Sequence, residues 1–355
     1  MMAGPVERLG FRAGYGVQQA GRVVWYTAHS YALGRLRRMA ERLYPEARVE
    51  RSKVSTPDRA RIWRDLVALF QRDAVNIEAG IYPAPRDYEG GPAELLSRSG
   101  AFFRDVPNVF RRRTAKNGQE VFTEEWQGRL PRYYLQNFHY QSGGYLSPDS
   151  ARLYDTQVEV LFNGTANVMR RQCLVPIAQY LKEHDRRKVT LVDVACGTGR
   201  FLRQVREAFP GLRLTGIDLS QAYVEEARRH VGNLGRTRFS VGMAENLPFA
   251  DASVDIVTTV YLFHELPPKI RREAAREFAR ILKPGGILVF MDSLQVGDSD
   301  DYDGLLALFP VGYHEPYFES YTREDLDEIF GAEGLEPLLQ EPVFVSKLAA
   351  YRKPV

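Results

Sequence analysis

The residues of this sequence that most strongly suggest chemistry are one acid and two glycines around a short apolar run. Asp193 lies inside the run 191–194, and Gly197 and Gly199 follow it. From Arg200 onward apolar residues recur at helical spacing, so the pattern predicts a strand, a tight turn and a helix. Glycine lets the backbone approach a ligand closely, and a helix start favours an anionic group. The stretch therefore predicts a site for a zwitterion, with its ammonium on Asp193.

The spacing of the glycines narrows the choice of ligand. Dinucleotide sites use G-x-G-x-x-G, but residues 200–202 supply no third glycine after Gly199. A phosphate loop of the G-x-x-x-x-G-K-[ST] type is also missing from the sequence. The methionine part of S-adenosylmethionine is a zwitterion of the expected kind. An ordinary βα turn of another α/β enzyme is the alternative interpretation.

Residues further along the chain fit the same ligand. Asp218 ends a predicted strand over 212–217, where an acid can accept hydrogen bonds from both ribose hydroxyls. Met243 follows a predicted strand over 237–241 and offers a soft contact for an adenine ring. Tyr261, at the end of a predicted strand over 255–261, can line the same pocket.

Strands and helices alternate through the second half of the chain. Besides the strands already named, the pattern predicts strands at 189–194, 286–292, 335–339 and 343–348, helices at 200–209, 221–230, 269–282 and 324–330, and an interrupted helical region at 151–184. Such alternation predicts an α/β fold whose sheet is doubly wound and mostly parallel. Ligands of such folds bind at the carboxyl ends of the strands, where the Gly197 turn would lie.

The whole pattern resembles the class I S-adenosylmethionine-dependent methyltransferases, and among them the ubiquinone/menaquinone-biosynthesis type, over residues 188–350. The resemblance implies a Rossmann-like sheet of seven strands and S-adenosylmethionine as the cofactor. The cofactor residues that it implies are Asp193, Ala195, Gly197, Gly199, Asp218, Leu219, Met243, Ala244 and Tyr261. Family members often have an acid where Met243 stands, so here the backbone or Glu245 would bind the adenine amino group.

Methyl transfer requires an aligned acceptor and, for an oxygen or activated carbon, a nearby base. His264 follows the strand over 255–261 and is the best candidate for that base, and Glu265 could orient it. A histidine that only caps the strand is the alternative. Tyr145 is a second catalytic candidate. No cluster of histidines and acids has metal-ligand spacing, so we expect no catalytic metal.

Residues 1–150 have no counterpart in the resembling family. We predict that they form a mainly helical cap or lid, and that residues 151–355 form the cofactor-binding domain. Within the cap, residues 23–26 predict a short strand, a helix begins near residues 56–58, and residues 111–113 predict a solvated basic loop. Two aromatic segments, 130–145 and 309–321, predict a closed pocket for a flat or apolar acceptor. The candidate substrate residues are Tyr140, Tyr154, His314, Tyr317 and Phe318.

The composition limits the functions to be considered. The 355 residues are 44% hydrophobic and carry a net charge of only +3, which is not the basic excess of a dedicated nucleic-acid binder. The two cysteines have no disulfide spacing and no apolar run reaches transmembrane length, so we expect a cytoplasmic protein. Peripheral membrane contact is expected only if the acceptor is a lipid or a quinone.

Three functions are compatible with these observations. The first is methyl transfer to an oxygen or carbon of a small quinone-like, phenolic or lipid acceptor. The second is RNA or protein methylation, with the arginines of residues 35–51 and 111–113 as a docking surface. The third is S-adenosylmethionine binding without catalysis. The cofactor pattern together with His264 favours catalysis over binding alone, and the first function is preferred among the three. The oligomeric state is not predicted.

Overall fold

A sheet of seven strands forms the centre of the computed structural model, which describes residues 5–43, 54–86, 91–232 and 234–355. The strands are β1 Thr190–Val194, β2 Arg213–Asp218, β3 Thr237–Val241, β4 Val254–Val260, β5 Leu282–Ser293, β6 Glu336–Val343 and β7 Ser346–Arg352. Their order is β3-β2-β1-β4-β5-β7-β6. The first five are parallel, whereas β7 is antiparallel to both β5 and β6. The predicted α/β fold is thus confirmed, with an antiparallel hairpin at one edge.

Twelve helices are present in the described residues. They are α1 Pro5–Leu43, α2 Arg59–Glu78, α3 Pro92–Thr114, α4 Pro148–Leu161, α5 Ala166–Gln172, α6 Leu174–Tyr180, α7 Arg200–Ala208, α8 Gln221–Val231, α9 Pro268–Ile281, α10 Asp303–Gly312, α11 Phe318–Tyr321 and α12 Leu326–Gly331. Six of them begin before β1, four of these within the first 150 residues, so the predicted N-terminal helical region is present. Its separation from the rest of the chain at residue 150 stays a prediction.

Alternate residues of the central strands pack on opposite faces of the sheet. In β5, Leu288 and Phe290 join one apolar cluster, which also contains residues of α9 and α12. Ile287, Val289 and Met291 join the other cluster, which contains residues of α5, α6 and α7. Because both faces are buried, these strands are near-continuous apolar runs, as is usual for parallel strands with helices on both sides. The doubly wound arrangement is thereby confirmed.

The N-terminal helices differ from the sequence predictions in three places. The strand predicted at residues 23–26 is wrong, because these residues lie within α1, where Val23 and Tyr26 are buried and Val24 is exposed. That three-residue spacing is helical. The α2 helix begins at Arg59 rather than near residue 56, because the Asp58 side chain accepts from the backbone N–H of Arg61 at 2.6 Å and caps the helix.

The third difference concerns the basic run 111–113. It lies in the last turn of α3, so the predicted loop is wrong. Arg112 is buried rather than solvated, because its guanidinium donates to Glu120 at 2.5 Å, to the carbonyl of Tyr140 at 2.8 Å and to Ser142 at 2.7 Å. It therefore fixes the aromatic segment against α3.

A buried polar group joins the first two helices to the rest of the molecule. The Asp73 carboxylate of α2 is fully buried and accepts from Arg171 of α5 at 2.8 Å. It also accepts from the hydroxyls of Tyr15 at 2.5 Å and Tyr82 at 2.8 Å.

Among the helices of the described residues, none combines the length and apolar character that crossing a bilayer requires.

Candidate active site

The turn after β1 uses its two glycines for different purposes. Gly197 and Gly199 both have positive φ, 54° and 76°. A Cβ atom at Gly199 would lie 3.0 Å from Val231 and 3.1 Å from Ala227, whereas one at Gly197 would meet nothing within 4 Å. Gly199 is therefore required for packing against α8, and Gly197 leaves open space beside the turn. This is the close backbone approach expected of a ligand-binding turn.

Two buried carboxylates flank this turn. Asp218, at the end of β2, accepts from the backbone N–H groups of Gly197 at 2.8 Å and Ser220 at 2.9 Å. Burial raises its pKa to about 6. Each oxygen keeps a free lone pair, so the group can still accept from ribose hydroxyls. Asp193 is more deeply buried and accepts from Thr258 at 2.6 Å, and burial raises its pKa to about 7.

A cavity of about 80 Å³, the turn cavity, lies over these groups. The predicted residues that line it are Tyr145, Tyr154, Ala195, Gly197, Asp218, Leu219, Ala244 and Tyr261. Asp193, Gly199 and Met243 are not in its wall, although Met243 adjoins Ala244. Tyr133, Tyr134 and Phe138 line it without having been singled out. Glu245, the suggested adenine contact, accepts instead from the hydroxyl of Tyr133 at 2.5 Å.

The donor and acceptor groups around the turn cavity fit S-adenosylmethionine, but its volume is small. Ligand pockets of this kind usually measure roughly 300 Å³ or more. Four aromatic residues of the segment 130–145 form part of its wall: Tyr133, Tyr134, Phe138 and Tyr145. The lid hypothesis for this segment is consistent with that arrangement.

A larger, mainly apolar cavity of about 410 Å³ adjoins the turn cavity. It lies between α4, α10 and the carboxyl ends of β4 and β5, and we call it the apolar cavity. Tyr154, Tyr261 and Glu265 belong to the walls of both cavities. His264 and Phe318, both singled out in the sequence, also line the apolar cavity. It shares residues of α1 and α4 with a further cavity of about 310 Å³.

Three of the predicted substrate residues line none of these cavities. The ring of His314 lies over Gly118, within 2.3 Å of where a Cβ would be, and its Nε2 is 2.9 Å from the side-chain oxygen of Gln136. Tyr140 packs beside His314, and the carbonyl of Tyr317 accepts from Arg271. Contact between these residues and a substrate stays a prediction.

His264 is tightly paired with an acid from the neighbouring strand. Its Nδ1 lies 2.5 Å from Asp292 of β5, whose other oxygen accepts from the backbone N–H of Phe263 at 2.7 Å. Burial alone would lower the pKa of this imidazole, but the carboxylates of Asp292, Glu265 and Glu315 together raise it to about 9. Its Nε2 faces Glu265, with 3.8 Å between Nε2 and Oε1.

Two further carboxylates surround this histidine. Glu265 accepts from the hydroxyl of Tyr145 at 2.5 Å, and burial raises its pKa to about 7 although His264 opposes the shift. Glu315 is fully buried and accepts from the backbone N–H of His139 at 3.2 Å. Burial raises the pKa of Glu315 well above its ordinary value and lowers the pKa of His139 to about 3.

The sequence reasoning missed Asp292, Glu315 and His139 because they come from separate segments that no periodicity links. The expectation of no metal considered only spacing along the chain. The fold, in contrast, brings one ligand atom each of His264, Glu265 and Glu315 within 4.8 Å of one another.

Comparison with known proteins identifies the domain that carries the turn. Residues 191–286 match the family model described as a methyltransferase domain. This match confirms the predicted methyltransferase family and, with it, S-adenosylmethionine as the cofactor of this domain.

Two curated relatives and one solved structure illustrate the similarity. The chain is 33% identical over 144 residues to a demethylmenaquinone methyltransferase of Thermotoga maritima, covering 41% of this chain and 58% of the relative. It is 34% identical over 105 residues to the O-methyltransferase resE of Aspergillus sclerotiorum, covering 29% and 39%. A sarcosine dimethylglycine methyltransferase structure from Galdieria sulphuraria, itself described as putative, is 14% identical, with a TM-score of 0.41 over 56% of this chain and 88% of that one. The matches thus span 58% and 39% of the lengths of these two curated relatives.

Proposed function

We propose that this chain, whose residues 191–286 belong to a class I S-adenosylmethionine-dependent methyltransferase domain, methylates an oxygen or carbon of a small apolar acceptor. Quinone-like, phenolic and lipid acceptors belong to this class. The observation that carries the proposal is the junction of the two cavities at Tyr154, Tyr261 and Glu265. An acceptor in the apolar cavity would meet the cofactor in the turn cavity at this junction.

When bound, S-adenosylmethionine would supply a methyl group activated on its sulfonium sulfur: the bond from carbon to sulfur would break as the bond to the acceptor forms, and the proton of the acceptor would pass to solvent. The residues of the chain bind, align and exclude water. Asp218 and the open backbone at Gly197 fit the nucleoside and methionine ends. The buried ring of Tyr145 and the half-buried ring of Tyr154 lie beside the junction, where they would exclude solvent from the reacting atoms.

The walls of the apolar cavity favour a small acceptor over a macromolecule. They are mostly aliphatic and aromatic, including Leu305, Leu306 and Phe309 of α10. The arginines proposed as a docking surface are partly used elsewhere, because Arg112 is buried and both Arg37 and Arg113 pair with Glu41. Arg48 and Arg51 lie outside the described residues.

His264 and Glu265 form the polar end of the apolar cavity beside the junction. A general base must present a neutral imidazole, and the Asp292 pairing favours the protonated form instead. In this proposal His264 orients the acceptor, and its role as a general base stays a prediction. His264→Ala should lower turnover while leaving cofactor affinity unchanged. Turnover at the wild-type rate in this variant would show that His264 takes no part in methyl transfer.

Labelled S-adenosylmethionine, incubated with the protein and with fractionated cell extract, tests the proposal. The label should enter the apolar metabolite fraction, where mass spectrometry can identify the methylated product. Leu306→Trp, which fills the apolar cavity, should abolish transfer but leave cofactor binding unchanged. Val311→Trp is the matched control, because Val311 lies on the same helix and is exposed. Label that enters RNA or protein, or a fully active Leu306→Trp variant, would contradict the proposal.

A further inference from the structure

We infer that His264, Glu265 and Glu315 bind a divalent metal ion at the polar end of the apolar cavity. The side chains suit a first-row ion such as Mn²⁺ or Zn²⁺, since one imidazole and two carboxylates combine the ligands that these ions accept. The role of the ion, to hold an oxygen of the methyl acceptor, rests on the proposed function. The binding of the ion does not.

The distances between the candidate ligand atoms are close to those of a coordination site. One ligand atom from each of the three side chains lies within 4.8 Å of the other two, and the His264 Nε2 to Glu265 Oε1 distance is 3.8 Å. Atoms that lie about 2.0–2.2 Å from a common ion are roughly 3–4 Å apart. Small rotations of the two glutamate side chains would therefore complete the site.

Asp292 prepares the histidine for this role. It occupies Nδ1 of His264, so Nε2 remains as the ring nitrogen that faces Glu265. Histidines that bind metals commonly donate their other ring N–H to a carboxylate in this way. Because Asp292 also accepts from the backbone N–H of Phe263, its own position is fixed. The imidazole is thus oriented independently of any ion.

Glu315 provides the independent indication of a missing ligand. Its side chain is fully buried, and its Oε2 has no hydrogen-bond partner among the described residues. In the described part of the chain, Glu265 forms an ion pair only with His264, and Glu315 only with His139. A buried carboxylate without compensation is costly, and a divalent cation would supply the missing positive charge.

The position of the site would place the ion beside the acceptor. Glu265 belongs to the walls of both cavities and His264 to the wall of the apolar cavity. Coordination positions not filled by protein would face the acceptor. A metal ion there would act as a Lewis acid that favours the deprotonated form of an acceptor hydroxyl, which is the better nucleophile. The ion would bind the neutral imidazole through Nε2 and would so provide an alternative to a side-chain base.

Metal binding can be measured on the full chain without turnover. The protein is stripped with EDTA, dialysed and titrated with Mn²⁺, and free Mn²⁺ is followed by electron paramagnetic resonance, with Zn²⁺ as competitor. We expect one ion per chain and at least a tenfold loss of affinity in Glu315→Gln. Glu319→Gln is the matched control, because Glu319 is exposed on the adjacent helix and should not change the affinity. Wild-type protein without stoichiometric binding, or Glu315→Gln with unchanged affinity, would overturn the inference.

Thermal unfolding separates loss of the site from loss of the fold. The wild type should gain melting temperature with Mn²⁺, because the ion binds only the folded state. Glu315→Gln should melt no lower than metal-free wild type and gain nothing from Mn²⁺. If this variant fails to fold, Glu265→Gln takes its place in both measurements, and normal Mn²⁺ affinity in that variant would overturn the inference.

The outcomes for the ion and for the activity are distinguishable. Stoichiometric Mn²⁺ binding without methyl transfer to any fraction would leave the metal site standing and overturn the proposed function. Transfer at the full rate in EDTA, together with no Mn²⁺ binding, would leave the function standing and overturn the metal site.

Discussion

The interactions within the sheet domain differ from those that join the N-terminal helices to it. Around β1 to β7, two apolar clusters cover the two faces of the sheet. The N-terminal helices also contribute apolar side chains to such clusters, but in addition buried ion pairs join them to that domain. Asp73 with Arg171 links α2 to α5, and Arg22 with Glu159 links α1 to α4. The two regions should therefore respond differently to substitution.

The two cavities of the candidate site also depend on different parts of the chain. The ends of β1 and β2, which are close together in the sequence, form one part of the wall of the turn cavity, and the aromatic segment 130–145 forms another. The apolar cavity is assembled from α1, α4, α10 and the ends of β4 and β5, which are distant in the sequence. The predicted cofactor residues thus lie mainly in the sheet domain, whereas the apolar cavity depends on how the helices are fixed against that domain.

Removing the Asp73 carboxylate should have the largest effect on this arrangement. Asp73→Ala leaves Arg171 buried without its partner and removes acceptors from two tyrosine hydroxyls. Breaking one side of a buried ion pair typically costs about 3–5 kcal/mol, so we expect a loss of that size in the free energy of unfolding. Urea denaturation followed by circular dichroism measures it.

Asp149→Ala is the control for Asp73→Ala, because Asp149 forms an exposed pair with Arg152 on α4. We expect it to change stability by less than about 1 kcal/mol. Equal effects of the two substitutions would contradict the contrast between a buried polar junction and a solvated surface pair.

The sheet domain could be predicted from sequence because its pattern is local and periodic. The predicted and observed bounds of β3 coincide, and those of the other parallel strands differ by a few residues. Two of the missed helices, α3 and α10, each contain an internal proline, Pro107 and Pro310. Proline usually interrupts a helix, so the sequence in both places suggested turns.

Residues of the candidate site could be predicted where they lie at the ends of predicted strands. Asp218 and Gly197 follow predicted strands and line the turn cavity. Glu315 and Asp292 are brought to His264 by tertiary packing alone, and no spacing along the chain indicates such a meeting. Tyr140 and His314 have the composition of pocket residues but lie outside the cavities, because aromatic residues also serve to pack a segment.

Asp218→Ala tests whether the carboxylate at the end of β2 binds the cofactor. Loss of hydrogen bonds to two ribose hydroxyls should weaken S-adenosylmethionine binding by about 1–3 kcal/mol, measured by calorimetry. Asp251→Ala, at an exposed acid near β4, should leave the affinity unchanged. Wild-type affinity in Asp218→Ala would remove Asp218 from the cofactor site.

Cofactor affinity should fall as the pH falls from 7 to 5. The pKa of Asp218 is raised by burial to about 6, and its ionised form is the better acceptor for two hydroxyls. Below that pH the affinity should decline by up to about tenfold per pH unit, and Asp218→Asn should flatten the decline. Calorimetry between pH 5 and 8 measures both proteins, and parallel profiles would exclude Asp218 as the titrating group.

The raised pKa of Asp218 has the opposite effect on the stability of the folded protein when no cofactor is bound. The folded pKa of Asp218 exceeds the ordinary value of 3.8, so the folded state binds the extra proton between these values. The contribution of Asp218 to stability therefore decreases as the pH rises from about 4 to 6. Thermal unfolding of wild type and Asp218→Asn across this range should show the difference, and stability that falls equally in both would contradict it.

Tyr145→Phe probes the place where the two regions meet, and its effect should be the smallest. The Tyr145 hydroxyl comes from the aromatic segment and donates to Glu265 beside β4. Losing one such bond should cost about 0.5–1.5 kcal/mol, seen as a lower kcat/KM for the acceptor with unchanged cofactor affinity. Tyr140→Phe is the matched control in the same segment, because Tyr140 lines none of the three cavities. If Tyr140→Phe lowers kcat/KM as much as Tyr145→Phe does, the segment acts through its packing as a whole. If Tyr145→Phe alone is impaired, the Tyr145–Glu265 bond links the aromatic segment to the methyl-transfer site.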